Sequence, residues 1–439
     1  MTLFNPTPGS ARDTLPPHPI AFWASLFFSA SVLTLLISVA VSQLCLSLGG
    51  VLYFAWLLRD RNRRISFPPI KLPLAIFCAW TVLSIFWAEN PAAGGFVVRK
   101  LVLFIILLLT VNLVVSARHL FFLLEAMFVE AAAAGILGTV QFIRQYHQVR
   151  VDHPHHIYLY MTVQRITGFM GHWMNFGGQQ MLVFCALLAF LFLATHRRAT
   201  ATGGQARLEF WWIVLALILF SIVLNFTRGV WLGCFVGAVY LVRSWRAKWL
   251  WALPLLVGIT LLAGPRMLRR REESVLHPGR DASIAVRLEM WRAGWKMIQR
   301  HPLVGVGPDN IPEVYDLYLP PGKTPIVGYH DHLHNDYVQL AAERGLPCFA
   351  AWLWFMAGLG WEIHRLCRKL TYSRWVAYAA LAGWLALVTE GFFEFNFGST
   401  PVLTVFLFLI ATPFAAEQIE RRQRELPEIK RLSGDAAAG

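Results

Sequence analysis

Apolar runs approaching 20 residues recur along almost the whole chain, and no other feature constrains its fold as strongly. A run of that length is what an α-helix needs to cross the hydrocarbon core of a bilayer. Inside lipid the backbone N–H and C=O groups must be satisfied within the segment, so repeated runs of this kind specify helices. Composition agrees. Of 439 residues 56% are hydrophobic and only 15% are charged, against about a quarter charged in a soluble domain. One large soluble core is excluded, and an all-α polytopic membrane protein is expected. The N-terminal "MTLFNPTPGSARDTLPPHP" is a polar, Pro-rich tail. The first apolar run lacks a small-residue site close behind it, so no cleavable signal is expected.

The pattern reads as about twelve spans: 20–40, 43–58, 72–88, 97–115, 119–141, 174–195, 210–226, 229–243, 249–264, 338–360, 375–396 and 400–416. Lys/Arg-rich short connections mark the cytoplasmic side. "RDRNRR" (59–64), "HRRATATGGQAR" (196–207), "RSWRAK" (243–248), "HRLCRKLTYSR" (364–374) and "ERRQRE" (420–425) all fall on one side. The expected organisation is a cytoplasmic tail (1–19), nine spans (20–264) with a periplasmic loop at 142–173, and a large periplasmic loop (265–337). Three more spans (338–416) and a cytoplasmic tail (417–439), disordered after Arg421, follow. The periplasmic side also receives the tips around Glu89–Lys100, Asn225–Gly229 and Phe395–Thr400.

A net charge of +14 points to anionic partners. In a membrane protein these are lipid headgroups, phosphates or an acidic substrate, and no nucleic-acid partner is expected. The six cysteines are scattered through apolar runs without paired spacing, so neither a disulfide framework nor a thiolate zinc site is expected. Arg266, Arg269, Arg270 and Arg271 follow the ninth span, on the side where Arg99, Lys100, Arg165 and Arg228 also lie. Arg228 interrupts two apolar runs in "LNFTRGVWLG"; so close to hydrocarbon, it must be paired, face a wet cavity or reach the interface. The long loop is not a tether. "AVRLEMWRAGWKMIQRHP" (285–302) places Val286, Met290, Ala293 and Met297 at helical spacing, and Pro302 ends the run. The turn residues of "PLVGVGPDNI" follow. Their glycines lack the spacing and the preceding strand of a dinucleotide site.

The stretch "HDHLHNDYVQLAAERG" (330–345) carries the most chemistry. In a strand, His330, His332 and His334 would share a face, as a zinc site could use. The segment lacks the final histidine of the HxHxDH pattern, having Tyr337 there, and no second ligand cluster accompanies it. No metal is therefore expected. "DYVQLAAERG" reads instead as a helix start, with Asp336 as N-cap and Gln339 completing a capping box. His334 then lies against the positive end of a helix, where neutral imidazole is favoured and can accept a proton from a hydroxyl. Guanidinium groups on the same face fit phosphate oxygens and keep their charge. A lipid-linked pyrophosphate is a leaving group they could stabilise. These parts suit glycosyl transfer from a polyprenyl-pyrophosphate donor, although composition also allows a transporter of anionic lipids.

Four pieces resemble the O-antigen ligase and O-antigen polymerase superfamily of bacterial inner membranes. They are "RITGFMGHWMNFGGQQ" (165–180), "NFTRGVWLG" (225–233), "RLEMWRAGWKMIQRHPLVGVGPDNI" (287–311) and "HLHNDYVQLAAERGLPCF" (332–349). The last is the most specific. The ligase pattern maps onto His334, Asn335 and Gly345, with Cys348 standing where the pattern has its second glycine. The resemblance implies a GT-C-like glycosyltransferase with a helical periplasmic subdomain between spans 9 and 10. It implies that His334 is the catalytic base, that Arg228 and Arg266 bind the donor pyrophosphate, and that Arg165 assists. Asn335, Glu390, Arg287 and His332 are supporting candidates, and no cofactor is implied. The implied donor is a glycan on undecaprenyl pyrophosphate, and the acceptor is the lipid A–core oligosaccharide. A polymerase would instead join two lipid-linked glycans. Chain length and a single long loop late in the chain resemble the ligase more. Glu390 and Glu394 fall four apart on the expected eleventh helix, where they either orient an arginine, His334 or the acceptor sugar, or serve as structural partners. Asp336 is expected to cap rather than to act as a second base. A flippase or exporter is the rival class, but the polar features gather on one side and the long loop has no counterpart in the first half.

Overall fold

The computed structural model describes residues 18–60, 65–194, 204–251, 282–322 and 331–435. Among these residues the protein is helical throughout and has no strand. The helices are α1 (Pro19–Val32), α2 (Val39–Arg59), α3 (Lys71–Ser84), α4 (Pro91–Leu101), α5 (Ile105–Leu113), α6 (Ala117–Asp152), α7 (Ile157–Val163) and α8 (Trp173–Ala189). They continue as α9 (Gly204–Leu224), α10 (Arg228–Arg246), α11 (Ala282–Arg300), α12 (Ile311–Val314), α13 (Asp336–Lys369), α14 (Arg374–Glu390) and α15 (Thr400–Asp435).

Helix lies at eleven of the twelve expected spans; the ninth, 249–264, falls almost wholly outside the described residues, as do Arg266, Arg269, Arg270, Arg271 and His330. By length and composition, six helices among the described residues are able to cross a membrane: Val39–Arg59, Pro91–Leu113, Ala117–Asp152, Trp173–Ala194, Asp336–Lys369 and Thr400–Glu425. Pro19–Val32, Lys71–Trp87 and Leu208–Leu224 are apolar but shorter. The protein is thus a multi-pass membrane protein, with six helices among the described residues long and apolar enough to cross a membrane.

Several boundaries differ from the sequence expectation. The first expected span stops at Val32, because the chain turns over Leu33–Ser38 and Ser38 caps α2 by accepting from the Val41 N–H. The fifth runs on to Asp152. Its 36 residues make a rod of about 54 Å at 1.5 Å per residue, so the start of the expected loop 142–173 is helix. The eleventh ends early, at Glu390. The last extends through the expected tail to Asp435, on a run rich in Glu, Gln and Arg with i,i+4 pairs Arg421–Glu425 and Arg424–Glu420.

Helices α8 and α15 form the centre, with 89% of each span window buried. Close approach of α10 to α8 and α14 depends on Gly233 and Gly237, one turn apart. A Cβ on Gly233 would stand 2.3 Å from the Met181 sulfur and 2.9 Å from the Ala386 carbonyl oxygen; on Gly237 it would meet the Cys185 sulfur at 2.5 Å. Small residues at this spacing let helix backbones pack tightly where lipid supplies no hydrophobic drive. This packing fixes where α10 starts, and so where Arg228 sits.

Helix α13 is two helices joined at Gly345, whose φ is +79°. A Cβ there would lie 2.1 Å from the Leu303 carbonyl oxygen, because the segment after α11 crosses at this point. The crossing backbone pairs with groups the break exposes. Val306 N–H donates to the Ala342 carbonyl and Gly307 N–H to the Glu343 carbonyl (each 2.9 Å), while Leu346 N–H donates to the Pro302 carbonyl (2.8 Å). The "HPLVGVG" turn is therefore a clasp on the first part of α13. Cys348, just beyond the break, is buried with its sulfur 3.5 Å from the Thr81 hydroxyl of α3.

Candidate active site

The segments expected on one face do meet. Asn90 N–H donates to the Asn310 side-chain oxygen (2.7 Å), Lys100 donates to the Gly398 carbonyl (2.9 Å), and Ser399 hydroxyl donates to the Asn175 side-chain oxygen (2.7 Å). The Asn335 amide donates to the Phe392 carbonyl (3.0 Å). Loop 391–399 lies at the middle of this assembly.

Residues 331–335 form an irregular approach to α13, not a strand. The helix cap is Asn335, with extended backbone, whose side-chain oxygen accepts from both Tyr337 and Val338 N–H (2.9 Å each). This corrects the assignment of Asp336. That residue is already in the helix and buried, and its carboxylate accepts from Phe397 N–H at 3.0 Å. Gln339 does not close a capping box either. Its side-chain oxygen accepts from Leu333 N–H (2.7 Å), and its amide donates to Glu343. Two acceptor residues in a row made the register ambiguous; the side chain on the extended residue takes the cap.

His334 has a φ of +48°, a left-handed conformation unusual for a residue with a Cβ. Its N–H donates to His332 Nδ1 (3.2 Å), and the two rings meet edge to face at 4.1 Å. Its own Nδ1 lies 2.7 Å from a Glu394 carboxylate oxygen. The other oxygen of Glu394 accepts from the Arg287 guanidinium. Glu394 is 1% exposed in this ion pair and His334 is 12% exposed. Burial alone would raise the Glu394 carboxyl, but Arg287 and the contact with His334 outweigh it and hold the group down at about 2. Burial pushes His332 down to about 3, so that ring is neutral. Among the described residues, no three His, Cys, Asp or Glu side chains group as a metal site would need.

Glu394, rather than Glu390, is the acid that meets the histidine segment. The two do not share a helix face, since α14 ends at Glu390 and Glu394 sits in the following turn. Glu390 instead accepts from the Asn396 amide and packs beneath Gly229.

The arginine side is built at two helix starts. Arg228 is the first residue of α10, behind Thr227. Arg165 donates from Nε to the Thr162 carbonyl (2.7 Å) and from a terminal nitrogen to the Thr227 hydroxyl (3.5 Å). Its guanidinium stacks 3.8 Å over the Trp173 ring, at the first turn of α8. Asn225 ties the same parts together, donating to the carbonyls of Ile166 (3.2 Å) and Trp173 (3.1 Å). The start of α10 packs on Phe393, next to Glu394.

His172, absent from the sequence-based candidates, links the two sides. It caps α8, its Nδ1 accepting from Met174 N–H (3.3 Å). Burial lowers its proton affinity, and the ionisable groups that face it are Glu394, His334 and Arg165. Its position just before the helix start in "GHWMNFGG" was the available signal. The arrangement offers a hydrogen-bonded imidazole beside permanent cations and two helix N-termini, which suits proton removal next to a bound anion. Arg266 is outside the described residues, so of the three expected pyrophosphate ligands Arg165 and Arg228 are the ones found near each other.

A family model described as O-antigen ligase matches residues 213–353. This stretch holds Arg228, Arg287, His332, His334 and Asn335; Arg165, His172 and Glu394 lie outside it. No curated protein matches the chain.

Proposed function

We propose that this chain, a member of the O-antigen ligase and polymerase superfamily through its matched segment, is the ligase. It transfers a glycan from undecaprenyl pyrophosphate to a hydroxyl of the lipid A–core oligosaccharide, on the periplasmic face of the inner membrane. The observation that carries this reading is the meeting of His334 with Glu394 and Arg287 beside the α8 and α10 starts, where Arg165 and Arg228 lie.

In this reading His334 accepts the proton of the acceptor hydroxyl as its oxygen attacks the sugar carbon bonded to pyrophosphate. The carbon–oxygen bond to pyrophosphate breaks, and its electron pair leaves with the phosphate oxygen. Arg165 and Arg228, with the N–H groups at the two helix starts, balance that charge. Arg266 belongs to the same set by its place in the sequence. A guanidinium set can supply this stabilisation without a metal ion. Asn335 caps α13 and so sets the backbone from which His334 projects.

The single long loop expected between spans 9 and 10 favours the ligase over the polymerase. The test offers purified protein one lipid-linked donor together with two acceptors, a core glycolipid and a second lipid-linked repeat. Label on the core glycolipid supports the ligase, and label on the repeat replaces it with the polymerase. Movement of intact donor between leaflets without either product would sink both.

A further inference from the structure

Resting on the proposed transferase reading, we infer that Glu394, clamped by Arg287, is the positioning carboxylate that makes His334 a base at Nε2, with His332 set beside it as a neutral ring donor.

The inference starts from which atoms can carry hydrogen. An ionised carboxylate only accepts hydrogen bonds. At 2.7 Å from Glu394, His334 Nδ1 must therefore be the donor. A neutral imidazole carries a single N–H, so the lone pair falls on Nε2. His332 has the opposite assignment. Its Nδ1 accepts from the backbone N–H of His334, so its hydrogen lies on Nε2. The two rings sit 4.1 Å apart edge to face with complementary protonation. A charged His332 would oppose an imidazolium at residue 334, and burial keeps it uncharged.

The carboxylate is divided between two partners. One oxygen serves His334 and the other serves Arg287. With the pair intact, Glu394 can neither rotate away nor take the proton, and the imidazolium formed on proton transfer faces a fixed negative charge. This is the orienting role of the acid in hydrolase triads, reached here with an added arginine.

Helix α11 supplies the clamp from one face. Arg287, Trp291 and Gly294 follow at i, i+4 and i+7. Arg287 holds Glu394, and the Trp291 indole N–H donates to the Leu333 carbonyl (3.1 Å). Gly294 leaves room for Leu333 and Val338, each of which would meet a Cβ there at 2.6 Å. The residue on either side of the His334 backbone is thus held, through Leu333 by α11 and through Asn335 by loop 391–399. The left-handed backbone of His334 is the conformation these restraints impose.

The experiment combines kinetics with a readout independent of activity. Transfer from a polyprenyl-pyrophosphate-linked glycan to a core glycolipid is measured for wild type, His334→Ala, Glu394→Gln, Glu394→Asp, Arg287→Gln and Arg287→Lys. Glu394→Gln is expected to lower kcat by up to roughly 10⁴-fold, the loss that follows when the orienting acid of a triad is made an amide, with KM for both substrates within about threefold. Glu394→Asp recovers part of the rate, and Arg287→Lys retains more than Arg287→Gln. A purely structural staple would instead lower active-protein yield and melting temperature without that split. In parallel, ¹⁵N NMR of histidine-labelled protein, with His334→Ala for assignment, reads the tautomer directly. An Nδ1–H resonance at residue 334 that is lost or mixed in Glu394→Gln supports the role. An Nε2–H resonance in wild type, or an unchanged kcat in Glu394→Gln, overturns it. Failure of the transferase reading looks different: wild type and His334→Ala then show the same absence of product, whichever tautomer is present.

Discussion

At the His334 ring the polar contacts run from side chain to side chain, joining residues 287, 334 and 394 from three separate segments. Around Arg165 they run to a backbone carbonyl, a hydroxyl and an indole face within the loops that start α8 and α10. The first construction fixes one imidazole in one tautomer. The second keeps a permanent cation at helix N-termini, where an anion is favoured whatever its shape. The difference matches the two tasks proposed. A base needs a defined lone pair, whereas a charged leaving group needs a positive field.

That contrast can be broken most directly at the base. His334→Ala is expected to reduce glycan transfer by roughly 10²–10⁴-fold, the usual range for loss of a general base, with little change in donor KM; a wild-type rate would remove the histidine side from the chemistry. Arg165→Ala tests the other side. It is expected to raise donor KM and lower kcat/KM by roughly 10–100-fold, as fits one charge-assisted hydrogen bond. Arg165→Lys should recover little, because an ammonium does not stack on Trp173 as a planar guanidinium does.

The scaffold gives a smaller effect, read as stability. Gly345→Ala forces a side chain into a left-handed backbone and against the Leu303 carbonyl. The backbone strain alone costs on the order of 1–3 kcal/mol. A melting-temperature drop larger than for Gly95→Ala, where a Cβ meets open space, would mark the clasp as the support of the histidine side. The smallest effect is in acid. The folded Glu394 carboxyl, at about 2, lies below its ordinary value of 4.5, so its contribution is complete above 4.5 and is lost as pH falls toward 2. The melting-temperature gap between wild type and Glu394→Gln should therefore be widest near neutrality and narrow through that window. A gap that is flat with pH would mean that the ion pair does not stabilise the fold.

Much of this was legible because it is local. Apolar length marked the helices, and the α11 run carried its own period. "HNDYVQ" announced a helix start beside a histidine, although which of Asn335 and Asp336 caps it was not decidable from residue type, since both favour caps. The α1–α2 turn was hidden because Leu33–Ser38 is nearly as apolar as its flanks. The length of α6 was hidden because its last two turns are polar yet helix-compatible. His172 lay unmarked inside a quoted motif, since a single histidine before a helix carries no pattern of its own. Glu394 was visible as one of two acids but not as the one that matters, because its role depends on α14 ending at Glu390.

By itself the sequence determined a helical, multi-pass membrane protein with a histidine at a helix start and cations nearby, since hydrophobic length, period and end signals act over neighbouring residues. Only the tertiary structure decided that the acid at 394 meets both the ring at 334 and the guanidinium at 287, and that Gly345 breaks its helix. Those outcomes depend on how distant segments cross, and no local preference encodes a crossing.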